Sequence, residues 1–101
     1  MNDKYILDEE GDAVPADLMT WATWFENNRD KRSIGKDEPV PGVTVSTVFL
    51  GLNHNFGDGP PLLWETMIFG GPHDDYQERY ATRTEALEGH KRAITLASEK
   101  E

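Results

Sequence analysis

Asn53, His54, Asn55 and Asp58 stand close together beside Gly57 and Gly59 in the stretch LGLNHNFGDGPPLL. An imidazole, two amides and a carboxylate on a glycine-rich loop are groups from which a hydrolytic or ligand-binding site can be built. Turn chemistry alone, however, explains Asn, Asp, Gly and Pro between two strands. Only His54 and Phe56 then need a role. The structural expectation is that Phe56 folds back as a plug on the end of the core and that His54 hydrogen bonds the loop backbone. A partner-contacting loop ranks second, a catalytic or metal site third.

His73, Asp74 and Asp75 gather an imidazole and two carboxylates in a second loop, and with His54 they would make a nitrogen and oxygen ligand set for a divalent metal. Successive turns of an antiparallel meander emerge at alternate ends of the sheet, so the two loops are expected to lie apart. His90 sits on the apolar side of a helical segment, where a packed histidine with one hydrogen-bond partner is expected; a general base would need a nucleophile and an orienting group. Glu65, between Trp64 and Thr66 on an apolar strand, needs a partner such as Arg79 or Arg83, or else faces water. There is no phosphate loop with its lysine, no dinucleotide fingerprint and no zinc helix. We therefore expect no catalytic residues, no metal and no cofactor, with an enzyme as the minority reading.

The elements that must position these residues follow from the pattern. Tyr5 to Leu7 reads as a short strand, followed by an Asp- and Gly-rich turn. A helix follows, with Pro15 at its first position and Asp17 in its first turn. Its buried stripe is expected to be Leu18, Trp21, Ala22 and Phe25, with Trp24 half covered at about 100° from the stripe centre. The segment SIGKDEPVPG predicts a weak strand near 32–37 and then a turn. Val43 to Leu50 and Leu62 to Phe69 are strands, expected to pair antiparallel. A third strand near 76–81 and a helix opened by Thr82, with Glu85 reaching back to the cap, complete the chain. Ala86, Leu87, His90, Ala93, Ile94 and Ala97 share that helix's inner side. The fold class is α+β: a small antiparallel sheet of about four or five strands with two helices, in the order β-α-β-β-β-β-α.

Both sides of the two central strands are apolar, whereas a half-solvated sheet alternates. Two helices can cover one side of so small a sheet. The other needs loops or another chain over it, which points to a homodimer or a partner surface.

At 101 residues and 11.4 kDa the chain is expected to be one domain. It has no cysteine, so disulfides and thiolate chemistry are excluded. The start lacks the basic residues and apolar core of a signal peptide, and no apolar run reaches the roughly 18 residues of a membrane span. A soluble protein of the cytoplasm, bound to no membrane, is the expectation. The formal charge is -9, which argues against direct binding of nucleic acid. No Lys or Arg lies between Lys36 and Arg79, a window holding Asp37, Glu38, Asp58, Glu65, Asp74, Asp75 and Glu78. Such a field attracts a basic partner, and it also keeps a small protein soluble.

Over the central block VSTVFLGLNHNFGDGPPLLWETMIFGG, the start KYILDEEGDAVPADLMTWATWFE and the ending RYATRTEALEGHKRAI, the chain resembles a group of small bacteriophage and prophage proteins. The resemblance implies a phage-borne accessory protein acting in the bacterial cytoplasm, and it brings no activity or functional residues with it. The resulting expectation is a non-enzymatic protein that binds a host or phage protein. Its candidate contact residues are Trp24, Asn53, His54, Asn55, Phe56, Asp58, Asp74 and Asp75. One alternative is an acidic inhibitor of a host defence complex, of the anti-CRISPR or DNA-mimic type, which requires carboxylates aligned at phosphate spacing. Another is a small ligand-binding protein or hydrolase using the 53–58 loop. A third is a virion morphogenesis factor.

Overall fold

The computed structural model describes residues 3–99. The chain opens with an antiparallel hairpin, β1 (Tyr5–Leu7) and β2 (Ala13–Pro15), paired from Tyr5 opposite Pro15 to Leu7 opposite Ala13. The Asp8 carboxylate shapes its turn by accepting the N–H groups of Glu10 and Asp12 at 2.9 and 3.0 Å. The second strand departs from the expected order. Pro15 ends β2 instead of starting a helix, as proline can at a strand whose edge needs no donor. Asp17 is the N-cap of α1 (Leu18–Asn27), accepting the Thr20 N–H at 2.8 Å.

A 3-10 turn (Asp30–Arg32) leads into four strands, β3 (Ser33–Val40), β4 (Val43–Phe49), β5 (Trp64–Phe69) and β6 (Gln77–Tyr80), and the chain closes with α2 (Arg83–Ser98). The strands form one antiparallel meander in the order β3-β4-β5-β6, so the fold is α+β with two antiparallel sheets and two helices. β3 runs past the expected 32–37 and carries Pro39, which an edge strand tolerates; its register shifts twice against β4. Thr82 caps α2 as expected: its hydroxyl oxygen accepts the Glu85 N–H at 3.1 Å and its O–H donates to the Glu85 carboxylate at 3.0 Å.

Register assigns the residues of each strand to two sides. Val43, Val45, Thr47 and Phe49 of β4 stand with Trp64, Thr66 and Ile68 of β5 and Tyr80 of β6 on the side that α2 covers. The helix meets them with His90 and with Ala86, Gly89, Ala93 and Ala97, small residues that let it lie close. A Cβ at Gly89 would fall 2.1 Å from Tyr80 Oη, so the glycine is what admits the tyrosine.

The hairpin and α1 extend the same cover. Tyr5, Leu7, Ala13, Trp24 and Phe25 pack on the cluster of Phe49, Leu63, Trp64, Tyr80 and Ala86. The expected stripe of α1 holds for Trp21 and Phe25, which make the contact without being fully buried, and fails for Leu18, 59% exposed, and for the exposed Ala22. Trp24 joins the contact half-buried as expected, and Phe25 is seated on Gly51, where a Cβ would lie 1.9 Å from the ring. The Gly51 carbonyl accepts from both the Tyr5 N–H at 2.8 Å and the Trp21 indole N–H at 3.1 Å.

Among the described residues no helix packs on the opposite side of the meander. There Lys36, Thr44, Ser46, Val48, Glu65, Met67, Phe69, Gln77 and Arg79 share one surface by register. The molecule is correspondingly thin, 46 × 31 × 20 Å.

Candidate functional site

The connection from β4 to β5 is built by its own amides. Asn53 Oδ1 accepts the N–H groups of Asn55 and Leu62 at 2.8 and 3.0 Å, tying the two ends of the loop together. Asn55 Oδ1 accepts the Gly57 N–H at 3.0 Å, while its Nδ2 donates to the carbonyls of Asp58 and Pro60 at 3.1 and 2.9 Å. Both amides are therefore engaged by backbone. The Asn53 N–H donates to the Asp3 carbonyl at 2.9 Å, which anchors the loop to the N-terminal strand. His54 hydrogen bonds the loop backbone as expected: Nδ1 lies 2.8 Å from the Leu52 carbonyl, so Nδ1 carries the hydrogen and Nε2 is left as an acceptor.

The expected aromatic plug does not form. Phe56 is 92% exposed at the loop tip. With Asn53 and Asn55 closing the loop by hydrogen bonds, the ring is not needed to close it and is carried outward by the tight Asn55–Pro60 turn. Phe56, Asp58, Asp3 and the two asparagines line a depression of about 560 Å³.

A second constellation has the order of a hydrolase triad. Thr66 Oγ1 meets Thr47 Oγ1, Thr47 Oγ1 lies 2.7 Å from His90 Nδ1, and His90 Nε2 lies 2.7 Å from Asp37 Oδ2. The Asp37 carboxylate accepts from Nε2, and Nδ1 faces the Thr47 hydroxyl. A nucleophile must reach its substrate, and Thr47 is fully buried beneath α2. The chain of hydrogen bonds is thus a way of satisfying buried polar groups, with Gly35 leaving room for the His90 ring, 2.8 Å from where a Cβ would stand. His90 is packed as expected, but with two hydrogen-bond partners, Thr47 and Asp37, where one was expected. Its partner Asp37 was not foreseen, being 53 positions away.

The remaining candidates are not brought together. Asp74 accepts the Gly70 N–H in the β5–β6 turn and Asp75 is exposed beside it, at the opposite end of the meander from the 53–59 loop. His73 and His54 are separated in the same way. Among the described residues no three His, Cys, Asp or Glu side chains gather as a metal site would require. Trp24 is half-buried against Phe49, its ring edge-on at 5.9 Å between centroids, and it borders a shallow groove with Ile6, Met19 and Thr23. Met19 there is 75% exposed, a residue that the periodicity did not single out.

The carboxylates divide among separate depressions. Asp8, Glu9 and Glu10 share one with Lys31 and Arg83; Glu78, Glu85 and Glu88 share another with Arg79 and Arg92; Asp3 and Asp58 belong to the loop. Partial burial would raise the Glu78 carboxyl, but the Arg92 guanidinium, which donates to it at 2.8 Å, outweighs this and holds the group below its usual range. Burial pushes the neighbouring Tyr80 phenol well above its ordinary value. Among the described residues no helix is long and apolar enough to cross a membrane. No protein-family model, curated protein or solved structure matches the chain.

Proposed function

We propose that the protein is a non-enzymatic accessory protein of phage or prophage origin that acts in the bacterial cytoplasm as a homodimer and binds a host or phage protein through its 53–59 loop. The observation that carries this reading is Phe56, 92% exposed on a loop whose backbone is held by Asn53 and Asn55. An aromatic ring kept in water by a rigid turn costs stability when free and contributes most when a partner pocket covers it. Pre-ordering the loop lowers the entropic cost of that encounter. Asp58 and Asp3 beside the ring select a pocket with a basic rim.

The acidic-inhibitor alternative draws on the net charge of -9. It is weaker, because the carboxylates are shared among several depressions, two of which also contain bases. The hydrolase alternative is weaker, because both amides it would use already serve the loop backbone.

The test is affinity capture from phage-infected host lysate, with tagged wild type beside Phe56→Ser and Asp58→Asn. A specific protein held by the wild type and reduced at least tenfold by Phe56→Ser, with the melting temperature unchanged, is the expected result. Capture that ignores Phe56→Ser yet falls when Glu85 and Glu88 become Gln would replace the loop reading with the acidic one.

A further inference from the structure

We propose that two copies of this chain pair face to face through the open side of the four-stranded meander. This rests on the homodimer reading above and adds where the copies meet. Three properties of that side point to a second copy.

The first is charge. In a chain of net charge -9, the charged residues that register pairs on this surface are two bases, Lys36 and Arg79, and one acid, Glu65, with Glu38 in the β3 bulge opposite Thr44 at its edge, so that bases and acids balance. Two such surfaces can approach without the repulsion that acidic regions of two copies would generate.

The second is desolvation. Glu65 is already only 8% exposed, with Oε2 accepting from Arg79 Nε at 2.8 Å and Gln77 Nε2 at 2.7 Å. Most of the cost of removing that carboxylate from water is met within one subunit. Val48 and Met67 lie beside it, and Phe69, 48% exposed, stands on the same surface at the far end of β5.

The third is size. Four strands at about 4.8 Å spacing and about six residues at 3.4 Å rise give a plane of roughly 400 Å². With side-chain relief, pairing two of them buries on the order of 1,200 Å² in total, the lower end of stable interfaces. Sheets stacked about 10 Å apart with strands within roughly 30° would make a helix-sheet-sheet-helix sandwich.

The experiment measures the self-association constant of the full chain by sedimentation velocity, with Met67→Glu, Met19→Glu on the exposed side of α1, and Phe56→Ser. The expected result is a wild-type dimer of twice 11.4 kDa, weakened at least 100-fold by Met67→Glu and unchanged by the other two. Because the chain has no cysteine, Ser46→Cys and Met67→Cys give a second readout that does not depend on Met67→Glu folding: mild oxidation should cross-link these variants covalently and leave Met19→Cys without a cross-link. A dimer that resists Met67→Glu and dissociates with Met19→Glu or Phe56→Ser overturns the surface while leaving the homodimer standing. A monomeric wild type overturns both, and partner capture by Phe56 is judged separately.

Discussion

The two sides of the meander each hold an ionisable pair, and they accommodate it in different ways. Under α2, His90 joins Asp37 at 2.7 Å while its other nitrogen meets Thr47, so that each polar atom has a side-chain partner in a fixed place. On the open side, one oxygen of Glu65 takes donors from both Gln77 and Arg79, and the Arg79 side chain is still about one-third exposed. A polar group beneath the helix finds its partner within the protein, as His90 does, or goes without one, as the buried Trp64 Nε1 and Tyr80 Oη do on the same side. An open sheet can leave part of its hydrogen bonding to water, and retains a surface able to pair with something else.

The largest effect expected from this contrast lies between neighbours on one strand. Ile68→Ala, on the covered side, should cost about 3–4 kcal/mol of unfolding free energy by removing a fully buried side chain. Met67→Ala, one position earlier and on the open side, should cost under about 1 kcal/mol in dilute monomer. Urea denaturation of both variants measures the difference; equal losses would mean that the open side is as tightly packed as the other.

A smaller effect sharpens the polar half of the comparison. Thr47→Val keeps the volume but removes the hydroxyl between Thr66 and His90, and should cost about 1–3 kcal/mol in the same assay. The counterpart on the open side, Glu65→Gln, should cost only about 0.5–1 kcal/mol, because the amide keeps the volume and an oxygen that accepts from Gln77 and Arg79, and the Arg79 guanidinium is about one-third exposed to water. A larger loss from Glu65→Gln than from Thr47→Val would reverse the assignment of the two sides.

The smallest effect is in pH. The Glu78 carboxyl is held below its usual 4.5 in the folded protein despite partial burial, chiefly by Arg92. Its stabilisation is therefore present above pH about 4.5 and lost as pH falls through the folded value. Both side chains are well exposed, so Arg92→Ala should flatten only slightly the decline in stability below that pH.

The sequence made the covered side legible where periodicity and capping speak locally. Val43 to Phe49, Trp64 to Phe69 and the Thr82 cap lie close to their expected places, and Glu65 finds the expected Arg79. Features set by distant contacts were not legible. Leu18 and Ala22 fall outside the contact because α1 docks through Phe25 onto Gly51, a fit that depends on a missing Cβ 26 positions downstream rather than on helical period. β2 was hidden because Pro15 suits a helix start and a strand end equally. The Asp37–His90 pair requires the bulged register of β3, which no local pattern reports. Phe56 was misplaced because hydrophobicity argues for burial, while the Asn53 and Asn55 bonds that carry it outward are a property of the folded loop.

The shared acceptor at Gly51 also has a kinetic consequence. One carbonyl oxygen takes the Tyr5 N–H and the Trp21 indole N–H, and α1 has no fully buried residue to hold it otherwise. Opening at that point releases the hairpin and α1 together, so amides from Tyr5 to Asn27 should exchange with deuterium as one low-barrier unit while those of β4 and β5 exchange only on global unfolding. Because Asp3 is bonded to Asn53, a partner seated on Phe56 would slow that exchange at a distance, and the N-terminal amides would report occupancy of the loop.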